Sequence, residues 1–148
     1  MNNPLLLGRA IALAAQAHAA QINKDGTPYI LHPIRLMMKA QTDEERMVAI
    51  LHDTVEDTEV TLEGLRGEFP AEIVDAVDCL TKREGEEYQR AIERVATNRI
   101  ATAVKMLDLH DNIDLTRLTE VGEKELARTK KYHDALQFLK KAQAASTS

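Results

Sequence analysis

The segment TDEERMVAILHDTVED, residues 42–57, decides the fold and also presents its main anomaly. Thr42 followed by Glu45 is a capping box, the pairing that starts a helix by satisfying its first free N–H groups. Apolar residues then recur at helical spacing, which predicts one buried helix face extending through about Glu56. The residues of that face are Met47, Val48, Ile50, Leu51 and Val55. Four polar groups interrupt it: His52, Asp53, Glu56 and Asp57.

Composition predicts that this helix belongs to a single all-α domain. The chain has 148 residues, of which 44% are hydrophobic and only 3% aromatic, so Leu, Ile, Val, Ala and Met must build the core. These residues favour helices when they recur at helical spacing. A net charge of −5 offers no broad basic surface for nucleic acid. No apolar run is long enough to cross a membrane, so we expect a cytoplasmic protein.

The rest of the chain reads as further amphipathic helices separated by short breaks. His32 lies at a helix entrance, since Pro33 suits a first helical turn. Asp108, Asp111 and Asn112 interrupt an otherwise apolar helix. We expect a frayed tail at about 143–148. Two of the predicted helices are the stretch after Pro33 and residues 42–56. The others occupy about 4–20, 62–68, 71–81, 84–98, 99–118 and 123–142.

The polar groups of the opening segment are compatible with a metal site. On one helix, His52 and Glu56 lie four residues apart, as do Asp53 and Asp57, which would form a patch on two successive turns. Buried carboxylates are costly without a cation, and a metal ion would supply the charge. A solvated helix end is the alternative. His32 and Asp108 add matching ligands, although spacing alone does not establish that they converge.

Three motifs together resemble the HD-domain phosphohydrolases of the Rel/Spo type, and most of all the small alarmone hydrolases. The motifs are HAAQINKDGTPYILHP (18–33), LHDTVEDT (51–58) and VKMLDLHDN (104–112). The resemblance extends from about residue 10 to residue 139. It implies one helical HD phosphohydrolase domain over residues 1–148, acting in the stringent response by removing 3′-pyrophosphate from guanosine tetra- and pentaphosphate.

The resemblance also assigns roles to individual residues. Glu56 and Asp57 would orient and activate the attacking water. Asn112 would contact the nucleotide, and Lys24, Tyr29 and Lys82 are further candidates for substrate binding. The metal ligands carried over from the family are His32, His52, Asp53 and Asp108. A mixed His and carboxylate set suits manganese, iron or zinc, and we expect Mn²⁺ first.

One departure from the family pattern keeps other functions open. The alarmone hydrolases usually carry an arginine near the guanine where this chain has Asn23. A hydrolase acting on another phosphorylated nucleotide is therefore an alternative, and a non-catalytic nucleotide-binding module is a third. The expected partner is a small nucleotide, with homo-oligomerisation left open.

Overall fold

The computed structural model describes residues 3–147, and within them the chain is helical, as predicted. An isolated β-bridge joins Ile22 to Pro28 in the loop after the first helix. A 3₁₀ turn spans Leu115–Arg117. The α-helices of the described residues are α1 (Asn3–Ala17), α2 (Leu31–Lys39), α3 (Asp43–Leu51), α4 (Thr54–Asp57), α5 (Leu62–Arg66), α6 (Ala71–Leu80), α7 (Tyr88–Ala96), α8 (Arg99–Ile113) and α9 (Glu123–Thr147).

Helix α3 lies at the centre of the bundle and packs against α1, α2, α6 and α8. Its start is the predicted capping box: the Thr42 hydroxyl accepts from the Glu45 N–H at 3.1 Å, and the Glu45 carboxylate accepts from the Thr42 N–H. The last five residues of α3 are all buried, namely Met47, Val48, Ala49, Ile50 and Leu51. The helix therefore delivers the residue that follows it, His52, to the interior.

The prediction of one continuous helix through about Glu56 is wrong, because the chain breaks at His52 and Asp53. Asp53 has φ −104° and ψ 1°, outside the helical region. Two side chains donate hydrogen bonds to backbone carbonyls of the last α3 turn. The His52 ring donates to Ala49 O at 2.7 Å, and the Thr54 hydroxyl donates to Leu51 O at 2.8 Å. Such bonds compete with the backbone ladder. Glu56 and Asp57 consequently lie on the separate short helix α4.

Other helix ends differ from the sequence boundaries by a few residues. α1 stops at Ala17, three residues before its predicted end. α8 stops at Ile113, because Asp114 has an extended backbone and its carboxylate accepts from the Thr116 N–H at 3.0 Å. α9 continues through Thr147, where we expected fraying from about residue 143, while Ser148 lies outside the described residues. Across residues 3–147, none of the helices has the length and apolar character required to cross a bilayer.

Candidate metal and substrate site

Four predicted ligands from three separate segments meet in the interior. His32 comes from the first turn of α2, His52 and Asp53 from the break after α3, and Asp108 from α8. His32 Nε2 lies 2.9 Å from Asp108 Oδ1, and His52 Nε2 lies 3.1 Å from Asp53 Oδ2 and 3.7 Å from Asp108 Oδ1. His32, His52 and Asp108 are buried. The fold thus brings together groups whose convergence the sequence spacing could not establish.

Hydrogen bonds at Nδ1 turn both imidazoles so that Nε2 faces the cluster. His52 Nδ1 must donate to Ala49 O, because a carbonyl can only accept. His32 Nδ1 bonds to Asp111 Oδ2 at 2.7 Å. In the neutral tautomers, each Nε2 then points a lone pair at a carboxylate. His52 Nε2 is also buried without a hydrogen-bond partner among the described residues. A cation between the rings and the carboxylates would relieve this repulsion, as in carboxylate–histidine–metal triads.

The charges of the cluster favour an added positive ion. Burial raises the pKa of Asp108, but Lys105 and the two histidines outweigh it and hold the pKa well below its usual range. Burial likewise opposes ionisation of Asp53, yet His52 lowers its pKa to about 2. Burial lowers the pKa of His52, and the same two carboxylates raise it well above its ordinary value overall. The donor set therefore suits a positively charged partner, and its His and carboxylate chemistry fits a divalent transition metal.

Glu56 and Asp57 lie beside Asp53 at the rim of the cluster. Single carboxylate oxygens of Asp53, Glu56 and Asp57 lie within 4.8 Å of one another, and both α4 residues are exposed. Glu56 Oε1 accepts from the Lys82 backbone N–H at 2.9 Å, which fixes its side chain. Burial, followed by the charges of Asp53 and Glu56, raises the pKa of Asp57. Glu56 is thus tethered, while Asp57 is more readily protonated than an ordinary Asp.

Three of the four predicted substrate contacts also reach this region. The Tyr29 hydroxyl donates to Asp53 Oδ2. Asn112 Nδ2 donates to Asp108 Oδ1 at 3.1 Å, and both Asn112 and Lys82 line a cavity of about 350 Å³ that opens from the cluster. Lys24 is exposed on the loop and lies outside this cavity.

A second, smaller cavity adjoins the first. Its volume is about 200 Å³, and Asn112 and Tyr132 line both cavities. Its wall carries the cations Arg117 and Arg128 together with the acids Asp114 and Glu125. A ligand at the cluster could therefore extend in two directions from Asn112.

Sequence reasoning assigned no role to three residues that support the cluster: Lys105, Arg35 and Asp111. Lys105 donates from Nζ to Asp108 Oδ2 at 2.9 Å. Arg35 donates from Nε and Nη2 to the two oxygens of Asp111, both at 2.9 Å, and Asp111 in turn holds His32. A signal was present in the spacing, since Lys105 and Asp111 lie three residues on either side of Asp108, and Arg35 three residues after His32.

Comparison with known proteins gives a family match over most of the chain. A family model described as "HD domain" matches residues 10–110. That range contains His32, His52, Asp53, Glu56, Asp57 and Asp108.

Relatives and a solved structure extend the comparison. The chain is 35% identical over 128 residues to a probable GTP pyrophosphokinase of Mycobacterium leprae, covering 78% of this chain and 16% of that protein. It is 32% identical over 117 residues to a guanosine-3′,5′-bis(diphosphate) 3′-pyrophosphohydrolase of Aquifex aeolicus, covering 71% and 17%. The chain thus spans about a sixth of the length of these relatives. A solved metazoan SpoT orthologue, described as hydrolysing ppGpp, superposes with a TM-score of 0.75 at 22% identity, over 90% of this chain and 84% of that one.

Proposed function

The chain belongs to the HD-domain family, and from this premise we propose that it is a metal-dependent phosphohydrolase that removes pyrophosphate from the 3′ position of guanosine 3′,5′-bis(diphosphate). The observation that carries the proposal is the convergence of two imidazole Nε2 atoms and two ionised carboxylates beside a pair of exposed acids. The similarity to relatives named for this reaction supports the choice of substrate.

His32, His52, Asp53 and Asp108 are the residues that would hold the metal ion. Their orientation is set by Ala49 O and Asp111, so neither ring needs to turn to present Nε2. A bound divalent ion would stabilise negative charge on the phosphoryl oxygens and make water easier to deprotonate. Mn²⁺ is our first choice for the native ion, and Fe and Zn suit the same donors.

Glu56 and Asp57 are the residues that we assign to the attacking water. Their carboxylates lie beside Asp53 and remain exposed, so a water molecule can reach them. A carboxylate in this position can accept a hydrogen bond from the water, orient its oxygen and take its proton as attack proceeds. Glu56 suits the orienting role because the Lys82 N–H holds its side chain.

The proposed substrate contacts follow from the two cavities that meet at Asn112. Asn112 and Lys82 would contact the nucleotide directly, and Tyr29 would hold Asp53 in place through its hydroxyl. Lys24 would reach the substrate only from the exposed loop before α2. Arg128 offers charge to a 5′-diphosphate from the smaller cavity, whereas Arg117 is already held by Asp111 and Asp114. A cytoplasmic setting, where such nucleotides occur, belongs to the same proposal.

The test is to identify the products formed by the protein supplied with Mn²⁺. Guanosine 3′,5′-bis(diphosphate) should yield GDP and intact pyrophosphate, and a chelator should stop the reaction. A panel of other 3′- and 5′-phosphorylated nucleotides serves as the comparison. Release of orthophosphate, or cleavage only at the 5′ end, would overturn the assignment in favour of another nucleotide. Binding of metal and nucleotide without turnover would favour a non-catalytic module.

A further inference from the structure

The larger cavity has a cationic end that the residues assigned above do not use. Beyond Asp108 its wall includes Lys105 of α8, Tyr88 of α7 and Lys131 of α9. Lys105 and Asp108 connect this end directly to the metal cluster through their 2.9 Å ion pair. The volume of about 350 Å³ falls within the range of small-molecule sites. The cavity therefore has room for a ligand group next to the cluster.

Three hydrogen-bond donors at this end have unused capacity. The Tyr88 hydroxyl is buried and has no hydrogen-bond partner among the described residues. Lys131 Nζ lies 4.2 Å from the centroid of the Tyr88 ring, and within residues 3–146 no carboxylate lies within ion-pair distance of it. Lys105 uses one of its three N–H donors on Asp108. Another cation of the cavity, Arg94, is already occupied by Glu86 and two backbone carbonyls.

These donors suit an oxyanion better than a nucleobase. The face of the Tyr88 ring is covered by Lys131, and the Tyr88 and Tyr132 rings are tilted by 42° with centroids 6.3 Å apart, so they do not form a parallel slot for a base. Two ammonium groups and a hydroxyl are typical of a site for a phosphate group, which offers several acceptor oxygens and needs compensating charge.

We propose that Lys105, Tyr88 and Lys131 form a subsite for the pyrophosphate that leaves the 3′ position, an inference that rests on the proposed function. In the reaction, the water oxygen bonds to the phosphorus attached to the 3′ oxygen, and the bond between that phosphorus and the ribose oxygen breaks. The ribose oxygen ends as a hydroxyl, the second proton of the water goes to solvent through the acids of α4, and pyrophosphate carries the new oxygen. The subsite binds the terminal phosphate before cleavage and the whole pyrophosphate after it.

Binding of inorganic pyrophosphate tests the subsite without requiring turnover. The full chain, with free Mn²⁺ held constant, is titrated calorimetrically with inorganic pyrophosphate and, separately, with GDP. Lys131→Ala should weaken pyrophosphate binding by roughly 3- to 10-fold, because it removes a charge-assisted contact at an exposed position. Tyr88→Phe, which removes only the hydroxyl, should act in the same direction, and GDP binding should change by less than about 2-fold in both variants.

Lys130→Ala is the matched control. Lys130 is the neighbouring residue on α9, and it pairs with Asp134 at 2.8 Å and lies outside the lining of the cavity. The subsite is overturned if Lys131→Ala and Tyr88→Phe bind pyrophosphate as the unmodified chain does, or if GDP binding falls equally. If pyrophosphate binding depends on Lys131 but guanosine 3′,5′-bis(diphosphate) is not hydrolysed, the anion site stands and the proposed function falls. If the substrate is hydrolysed but neither substitution changes pyrophosphate binding, the proposed function stands and the subsite falls.

Discussion

Asp111 accepts a 2.7 Å hydrogen bond from Nδ1 of His32, so a carboxylate on α8 fixes the ring of a proposed metal ligand on α2. The two residues are 79 positions apart in the chain. Arg35 holds both oxygens of Asp111, and the Arg117 side chain donates to the Asp111 backbone carbonyl at 2.6 Å. His32 is thereby held with Nε2 facing the cluster, and these cations compensate the buried carboxylate of Asp111.

The first prediction concerns this support. Asp111→Asn removes a negative charge. In the unmodified chain that charge orients the His32 ring and makes the ring a stronger donor to a metal ion. Metal affinity should fall by roughly 10- to 100-fold, the usual effect of losing such a partner. A fluorescent-indicator competition titration with Mn²⁺ measures it. Asp134→Asn, on an exposed Asp that pairs with Lys130, is the control and should leave affinity unchanged. Equal affinities in the two variants would remove Asp111 from the metal site.

The second prediction concerns acid stability of the metal-free protein. Burial raises the pKa of Asp111, but Arg35 and His32 lower it by more. The pKa is therefore about 2, below its ordinary 3.8. A lowered pKa in the folded state contributes stability above the unfolded pKa, and this contribution is lost as pH falls through the folded value. The difference in unfolding free energy between the unmodified chain and Asp111→Asn should shrink as the pH falls from about 4 towards 2.

Urea denaturation at pH 2, 3, 4 and 6 in the presence of a chelator measures this difference. The other carboxylates titrate in both proteins, so their contribution cancels in the comparison. A difference that stays constant down to pH 2 would show that the charge of Asp111 does not stabilise the fold.

The third prediction separates water activation from metal binding. Glu56→Gln should retain the metal, since the four proposed ligands are unchanged, and lower turnover by roughly 10²- to 10⁴-fold, the usual contribution of a general base. Metal content is measured by atomic absorption and turnover by pyrophosphate release. Glu59→Gln, on an exposed acid two residues beyond α4, serves as the control. Near-normal turnover of Glu56→Gln would leave Asp57 as the only candidate for the role.

The sequence predicted the helical fold well because the apolar periodicity and the capping box are local signals. Thr42, Glu45 and the buried residues of α3 agree with the prediction, whereas Val55 of the predicted face lies on α4 and is half-buried. The break at His52 and Asp53 was missed, because it depends on the His52 ring and the Thr54 hydroxyl taking carbonyls that a helix would normally use. Convergence of His32 with Asp108 was suggested by resemblance to a known family. Apolar spacing carries no information on which helices pack together.

The polar support of the site was the part that sequence reasoning could not assign. The neighbours of Lys105 in the chain are ordinary for an amphipathic helix, so they do not distinguish it from a solvated charge. Its role depends on the burial of Asp108, which leaves that carboxylate in need of a nearby cation. Lys131 was likewise indistinguishable from the other lysines of α9 until the fold placed it over the Tyr88 ring.

The last prediction concerns the choice of base. Asn23 lies in the loop before α2, where its side-chain amide donates to the Thr27 hydroxyl at 3.0 Å and its backbone N–H donates to Thr27 O at 2.8 Å. The residue thus stabilises the loop and offers no planar cation to stack on a purine. Asn23→Arg would supply one, an interaction of about 0.5–2 kcal/mol. The Michaelis constant for guanosine 3′,5′-bis(diphosphate) should fall by roughly 2- to 30-fold, and that for the adenosine analogue by less.

Asn23→Lys is the control, because it adds the positive charge without the planar guanidinium group. It should therefore lower the Michaelis constants of both substrates alike. If Asn23→Arg also lowers both constants equally, the loop contributes charge and not base selectivity, and recognition of guanine must come from residues nearer Asn112.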